Sequence, residues 1–79
     1  MMTQTEALNW VAKLFEEPVG QLNVDTARKD VIAWDSLGVL TLMASLDSDF
    51  GITLSDDQIE NMKKVDDILI ILRKHGALE

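Results

Sequence analysis

The chain has 79 residues, a formal charge of −7 and no cysteine. That length gives one domain with a small core. Residues 1–79 are read as that domain, with Leu78 and Glu79 set aside as a candidate cloning remnant. The missing cysteine excludes disulfide staples, thiolate metal ligands and a thiol nucleophile, and the negative charge disfavours nucleic acid or anionic membranes as partners.

Thr3-Gln4-Thr5-Glu6 fits a capping box, with Thr3 as the cap and Glu6 reaching back. Leu8, Val11, Ala12 and Phe15 follow at helical spacing, and Pro18 should stop this first helix near Glu16 or Glu17. From about Pro18 to Asp35 no period is visible. A loop that long in so small a domain is expected to wrap it or carry function, pinned by Leu22, Val24, Val31, Ile32 and Trp34. A second helix is predicted to start at Ser36 with Asp35 as cap. Its core stripe is Val39, Leu42, Met43, Leu46 and Phe50, and Gly51 is its stop. Leu37, Leu40 and Ala44 fall off that stripe and imply a second partner. Ser55-Asp56-Asp57-Gln58 is another capping box, opening a short helix through about Asn61, with Ile59 and Met62 turned inward. The last helix is predicted over Val65 to His75, with Val65, Ile68, Leu69 and Leu72 on its core face and Gly76 at its end. The sum is an all-α bundle of three main helices and one short one, with a long loop between the first two.

The longest apolar run, Ile68-Leu69-Ile70-Ile71-Leu72, is far too short to cross a bilayer. The first residues lack the basic-then-apolar order of a secretory leader. A cytoplasmic monomer without membrane insertion is expected. No Lys or Arg occurs from Asp30 through Met62, a stretch that holds Asp30, Asp35, Asp47, Asp49, Asp56, Asp57 and Glu60. The remaining acids are balanced by the chain's bases, so the net charge sits in the middle of the sequence. A one-sign surface steers oppositely charged partners, although a solvated face that aids solubility has the same composition.

Trp34-Asp35-Ser36-Leu37-Gly38 is the segment that carries chemistry. A phosphate ester on Ser36 would lie against free backbone N–H groups at the positive end of a helix. At these residues the sequence resembles the acyl carrier protein family, from about Thr5 to Lys74. The likeness continues through Leu46-Asp47-Ser48-Asp49-Phe50-Gly51-Ile52, Ser55-Asp56-Asp57-Gln58-Ile59 and Val65-Asp66-Asp67-Ile68-Leu69. Trp34 and Gly38 are similar to the discrete, specialised members.

The resemblance implies that Ser36 accepts 4′-phosphopantetheine from coenzyme A through a phosphopantetheinyl transferase and Mg²⁺, with Asp35 positioning the ion. The arm's thiol would carry an acyl group as a thioester for fatty-acid, polyketide or other specialised biosynthesis. Leu37, Leu40, Ala44 and Asp47, with Asp56, Asp57 and Glu60, would dock acyl-loading and acyl-using enzymes that present basic patches. No residue of the chain would be catalytic. Gly38, Thr41 and Ser48 stand where many members carry acids, which implies a narrower or different partner set. Lys64 stands where a capping Thr is common, which implies fraying of the last helix. The rival reading is an unmodified helical interaction module with the same fold.

Sharper chemistry is disfavoured elsewhere. An EF-hand loop from Asp47 needs Gly at Ile52 and Glu at Gln58, and both fail. His75 is the only histidine, too little for a usual zinc site, and Ser36 with His75 lacks a nucleophile elbow. Trp10, Trp34, Met43 and Met62 read as packing residues, and Lys63-Lys64 is too short for a nucleic-acid patch.

Overall fold

Thr3 starts the first helix as its pattern requires. Its Oγ1 accepts the Glu6 N–H (3.2 Å), and Glu6 Oε1 accepts the Thr3 N–H (2.9 Å), which satisfies two of the amides that a helix start leaves free. The computed structural model describes residues 1–79. It contains four helices, α1 (Gln4–Leu14), α2 (Ser36–Phe50), α3 (Asp56–Glu60) and α4 (Val65–Lys74), and one 3₁₀ turn at Arg28–Asp30. The all-α bundle is as expected.

Helix α1 buries Ala7, Val11 and Ala12 and packs against α2 and α4. It ends at Leu14, two or three residues short of the expected Glu16 or Glu17, before Pro18 can act. Glu16 adopts a left-handed φ of 58°, its N–H donates to the Lys13 carbonyl (3.3 Å), and the Glu17 N–H donates to the Ala12 carbonyl (2.8 Å). These two bonds satisfy the last carbonyls of the helix, as a glycine usually does at such an end.

The segment between α1 and α2 is stitched to the start of α4 through its backbone. The Arg28 N–H donates to the Lys63 carbonyl (2.8 Å), the Val65 N–H to Thr26 (2.9 Å) and the Asp66 N–H to Val24 (3.0 Å). Leu22, Val31 and Trp34 are buried and Val24 is half-buried, so four of the five expected anchors hold. Ile32 does not. It is 92% exposed, because the turn closed by the Trp34 N–H on the Val31 carbonyl (3.0 Å) sends residues 31 and 34 inward and leaves residue 32 at its apex.

The same stitching corrects the expectation that α4 frays. Lys64 offers no capping side chain, but Asp67 Oδ2 accepts the N–H groups of Lys63 (2.7 Å) and Lys64 (3.1 Å). With Val65 and Asp66 bonded to the loop, the first turn of α4 has its amides occupied. At the other end His75 is the C-cap and Gly76, at φ 77°, lets the Ala77 N–H return to the Leu72 carbonyl (2.9 Å). The chain ends then pair: Met2 donates to Ala77 (2.9 Å) and Glu79 to Met2 (2.9 Å), and Leu78 is buried. One apolar cluster joins all of this, with Phe15, Leu42, Leu46, Ile68, Leu69 and Leu72 fully enclosed. Removing one such side chain to Ala costs about 2–5 kcal/mol, a large share of the stability of a domain this small.

Candidate functional site

Asp35 and Ser36 meet the chain at a helix start. Asp35 Oδ1 accepts the Gly38 N–H (2.9 Å), and its carbonyl accepts the Val39 N–H (2.9 Å). Ser36 is the first helical residue and is exposed. The amides of Ser36 and Leu37 find no acceptor within the chain, so the first turn at Ser36 offers two free donors and the positive end of the α2 dipole.

The frame under Ser36 is rigid for steric reasons. Gly38 is buried, and a Cβ there would collide with the Ala33 carbonyl oxygen and lie 2.9 Å from its carbon. Only glycine lets the preceding loop press onto the first turn of α2. Trp34 stacks on Phe15 with ring centroids 5.1 Å apart, and Arg28 lies over the Trp34 ring: the guanidinium is 5.6 Å from its centroid and Nε donates to the Trp34 carbonyl (3.4 Å). The position that the resemblance treats as a missing acid is thus a packing requirement.

Leu37 and Leu40 are 72% and 61% exposed, and Ala44 and Asp47 are exposed as well. Spacings of three, four and three residues set these four side chains along one side of α2. Asp56, Asp57 and Glu60 are exposed on α3. Asp49 serves the fold instead, accepting the Trp10 indole N–H (2.8 Å), while Trp10 meets Phe50 edge to face. His75 is exposed at the far end of α4, and no three metal-ligating side chains gather in the chain. Sequence reasoning missed Ile32 as a surface residue beside Ser36. It also missed that Arg28-Lys29 and Lys63 converge, although the two basic doublets visibly bracket the acidic stretch.

Fold and site together define a small helical domain of the acyl-carrier type, with one exposed serine at a helix start. Comparison with known proteins agrees. The chain is 36% identical over 72 residues to an acyl carrier protein of Exiguobacterium sibiricum, a match covering 86% of this chain and 91% of that protein. It is 32% identical over 66 residues to one of Phytoplasma australiense (75% and 87%) and 24% identical over 76 residues to one of Thermobifida fusca (91% and 96%). No protein-family profile matches the sequence. The chain belongs to the acyl carrier protein family.

Proposed function

We propose that this protein carries an acyl or related group as a thioester on 4′-phosphopantetheine esterified to Ser36, presents it to biosynthetic enzymes in the cytoplasm, and catalyses no reaction itself. The observation that carries the reading is the exposed Ser36 hydroxyl beside two unpartnered amides at the start of α2. These groups fit a phosphodiester, to whose anionic oxygens the N–H groups of Ser36 and Leu37 can donate. During attachment Ser36 Oγ bonds to the pantetheine-bearing phosphorus of coenzyme A and the adenosine bisphosphate half leaves. The hydroxyl proton passes to a base on the transferase. Asp35 holds its own geometry through Oδ1 and has Oδ2 left to approach the Mg²⁺ that neutralises the phosphates.

The arm supplies the reactive thiol that the cysteine-free chain lacks. The chain itself supplies tethering: a group on a docked carrier meets an active site at an effective concentration on the order of millimolar. Exposed Leu37, Leu40 and Ala44 fit an apolar contact beside the attachment point, and Asp47, Asp56, Asp57 and Glu60 fit a basic rim.

The test is the intact mass after incubation with coenzyme A and a broad-specificity transferase. One phosphopantetheine should be gained by the native chain and none by Ser36→Ala. No gain with several transferases would leave the unmodified interaction module as the better reading.

A further inference from the structure

The two basic doublets, Arg28-Lys29 and Lys63-Lys64, lie at opposite ends of the acidic stretch in sequence but side by side in space. The Arg28 N–H donates to the Lys63 carbonyl (2.8 Å), and Ala27 pairs with Lys64 in an isolated antiparallel bridge. Next to this junction opens a groove of about 550 Å³, lined by Arg28, Lys29 and Lys63 together with Val31, Ile32 and Trp34. The Asp67 carboxylate lies at the Lys63 backbone N–H (2.7 Å), but the side-chain hydrogen bonds of the cations go elsewhere. Arg28 Nε donates to the Trp34 carbonyl and Lys63 Nζ to the Glu60 carbonyl (3.3 Å), and neither bond reaches a carboxylate. Three positive charges thus converge at one place on a chain of charge −7. The same groove is lined by Ile32, which is left almost fully exposed. Trp34 and Ser36 are two residues apart, so their Cα atoms lie within about 7 Å.

We propose that this groove receives the free end of the carried group, and that the cargo is an acyl chain ending in a carboxylate. The carboxylate sits among Arg28, Lys29 and Lys63, and the methylenes lie on Ile32 and Trp34. The proposal rests on Ser36 being the attachment point. Tethering makes weak contacts sufficient, because the end group is present at roughly millimolar effective concentration. The arm's own phosphodiester offers the same anionic oxygen chemistry, but it is present whatever the cargo, so a neutral cargo isolates it.

The full chain, labelled with ¹⁵N, is loaded at Ser36 with S-glutaryl- or S-pentanoyl-phosphopantetheine, cargoes of similar length that differ in the terminal charge. The expected result is a set of amide and indole shifts at Arg28, Lys63 and Trp34 seen only with the glutaryl cargo. These shifts should be lost in Arg28→Gln/Lys63→Gln and suppressed by added salt. If Arg28→Gln disturbs the Trp34 stack, Lys29→Gln/Lys63→Gln replaces it, since both lysines are exposed. Identical spectra for the two cargoes, shifts confined to other elements, or a difference that survives these substitutions overturns the proposal. Shifts common to both cargoes and lost in the variants assign the groove to the phosphodiester, and also overturn it. If Ser36 takes no arm, the carrier reading fails and the groove is judged separately by titrating S-glutaryl- and S-pentanoyl-pantetheine into the unmodified chain. Saturable shifts at the same residues for the first alone support the groove, and equal responses overturn it.

Discussion

Replacing Gly38 by Ala tests whether the frame beneath Ser36 is set by sterics. The new Cβ meets backbone, the Ala33 carbonyl, rather than the movable end of a side chain, and it also comes to 3.4 Å from Phe15 Cε1. Overpacking costs about 1–3 kcal/mol, and a backbone obstacle puts this case near ~3 kcal/mol. Better helix propensity returns about 1 kcal/mol, so the net loss is about 2 kcal/mol. In a domain of this size each kcal/mol moves Tm by about 4–8 °C. Thermal unfolding followed by circular dichroism should therefore show Tm falling by ~8–16 °C. The relief must come from residues 33–35, which also position Ser36. The initial rate of phosphopantetheine transfer, measured well below both melting temperatures, should fall as well. A Tm within about 2 °C of the native value with an unchanged transfer rate would refute the steric argument, because it would mean the loop gives way freely.

The remaining predictions test single interactions. Asp35→Asn keeps the capping oxygen, so Tm should hold while the transfer rate drops by at least ~10-fold; Asp35→Ala should lose both the rate and about 1 kcal/mol of stability by denaturant titration. Glu16→Gly removes a side chain from a left-handed position that costs an L residue about 1–2 kcal/mol. After the roughly 0.5–1 kcal/mol backbone-entropy cost of glycine, Tm should rise, and a fall would count against the strain. Asp67→Ala frees the amides of Lys63 and Lys64 and should cost about 1–2 kcal/mol, read as a lower urea midpoint. Hydrogen bonds from the backbone and side chain of Thr3 hold the Glu6 carboxyl below its ordinary value of 4.5. A depressed folded pKa gives stability that is present above the unfolded value and lost as pH falls through the folded one. The Tm gap between the native chain and Glu6→Gln should therefore be open at pH 7 and shrink once pH drops below 4.5.

What the sequence made legible was local. Both capping boxes, the Asp35 cap, the Gly51 stop and the core stripes of α2 and α4 follow from contacts within a few residues, and each is present. The exposed Ser36 and the off-stripe Leu37, Leu40 and Ala44 were readable for the same reason. The misses are aperiodic turns and tertiary pairings. The early end of α1 depends on a left-handed glutamate that no propensity favours. The outward turn of Ile32 depends on the backbone turn from Val31 to Trp34, and the firm start of α4 on backbone bonds between residues 24–28 and 63–66; neither leaves a periodic trace. The role of Gly38 depends on how closely the chain approaches itself at Ala33.

The division between frame and display has a physical consequence for the surface around Ser36. Large exposed apolar side chains are few in this chain, and Ile32, Leu37 and Leu40 all lie within four residues of Ser36. None of them is needed by the core, whereas Trp34 and Gly38, interleaved with them, are buried in it. Selection for solubility alone would favour polar residues at the first three positions, because exchanging them costs the fold little. Their presence is therefore best explained by a partner or a cargo that covers them. If Ser36 carries the arm, Leu37 and Leu40 meet docking enzymes and Ile32, which lines the groove, meets the cargo. Substituting Leu40 by Gln should then weaken docking and leave the cargo-dependent shifts at Trp34 intact. Ile32→Gln should do the reverse, and neither should move Tm by more than the few degrees expected for a surface change.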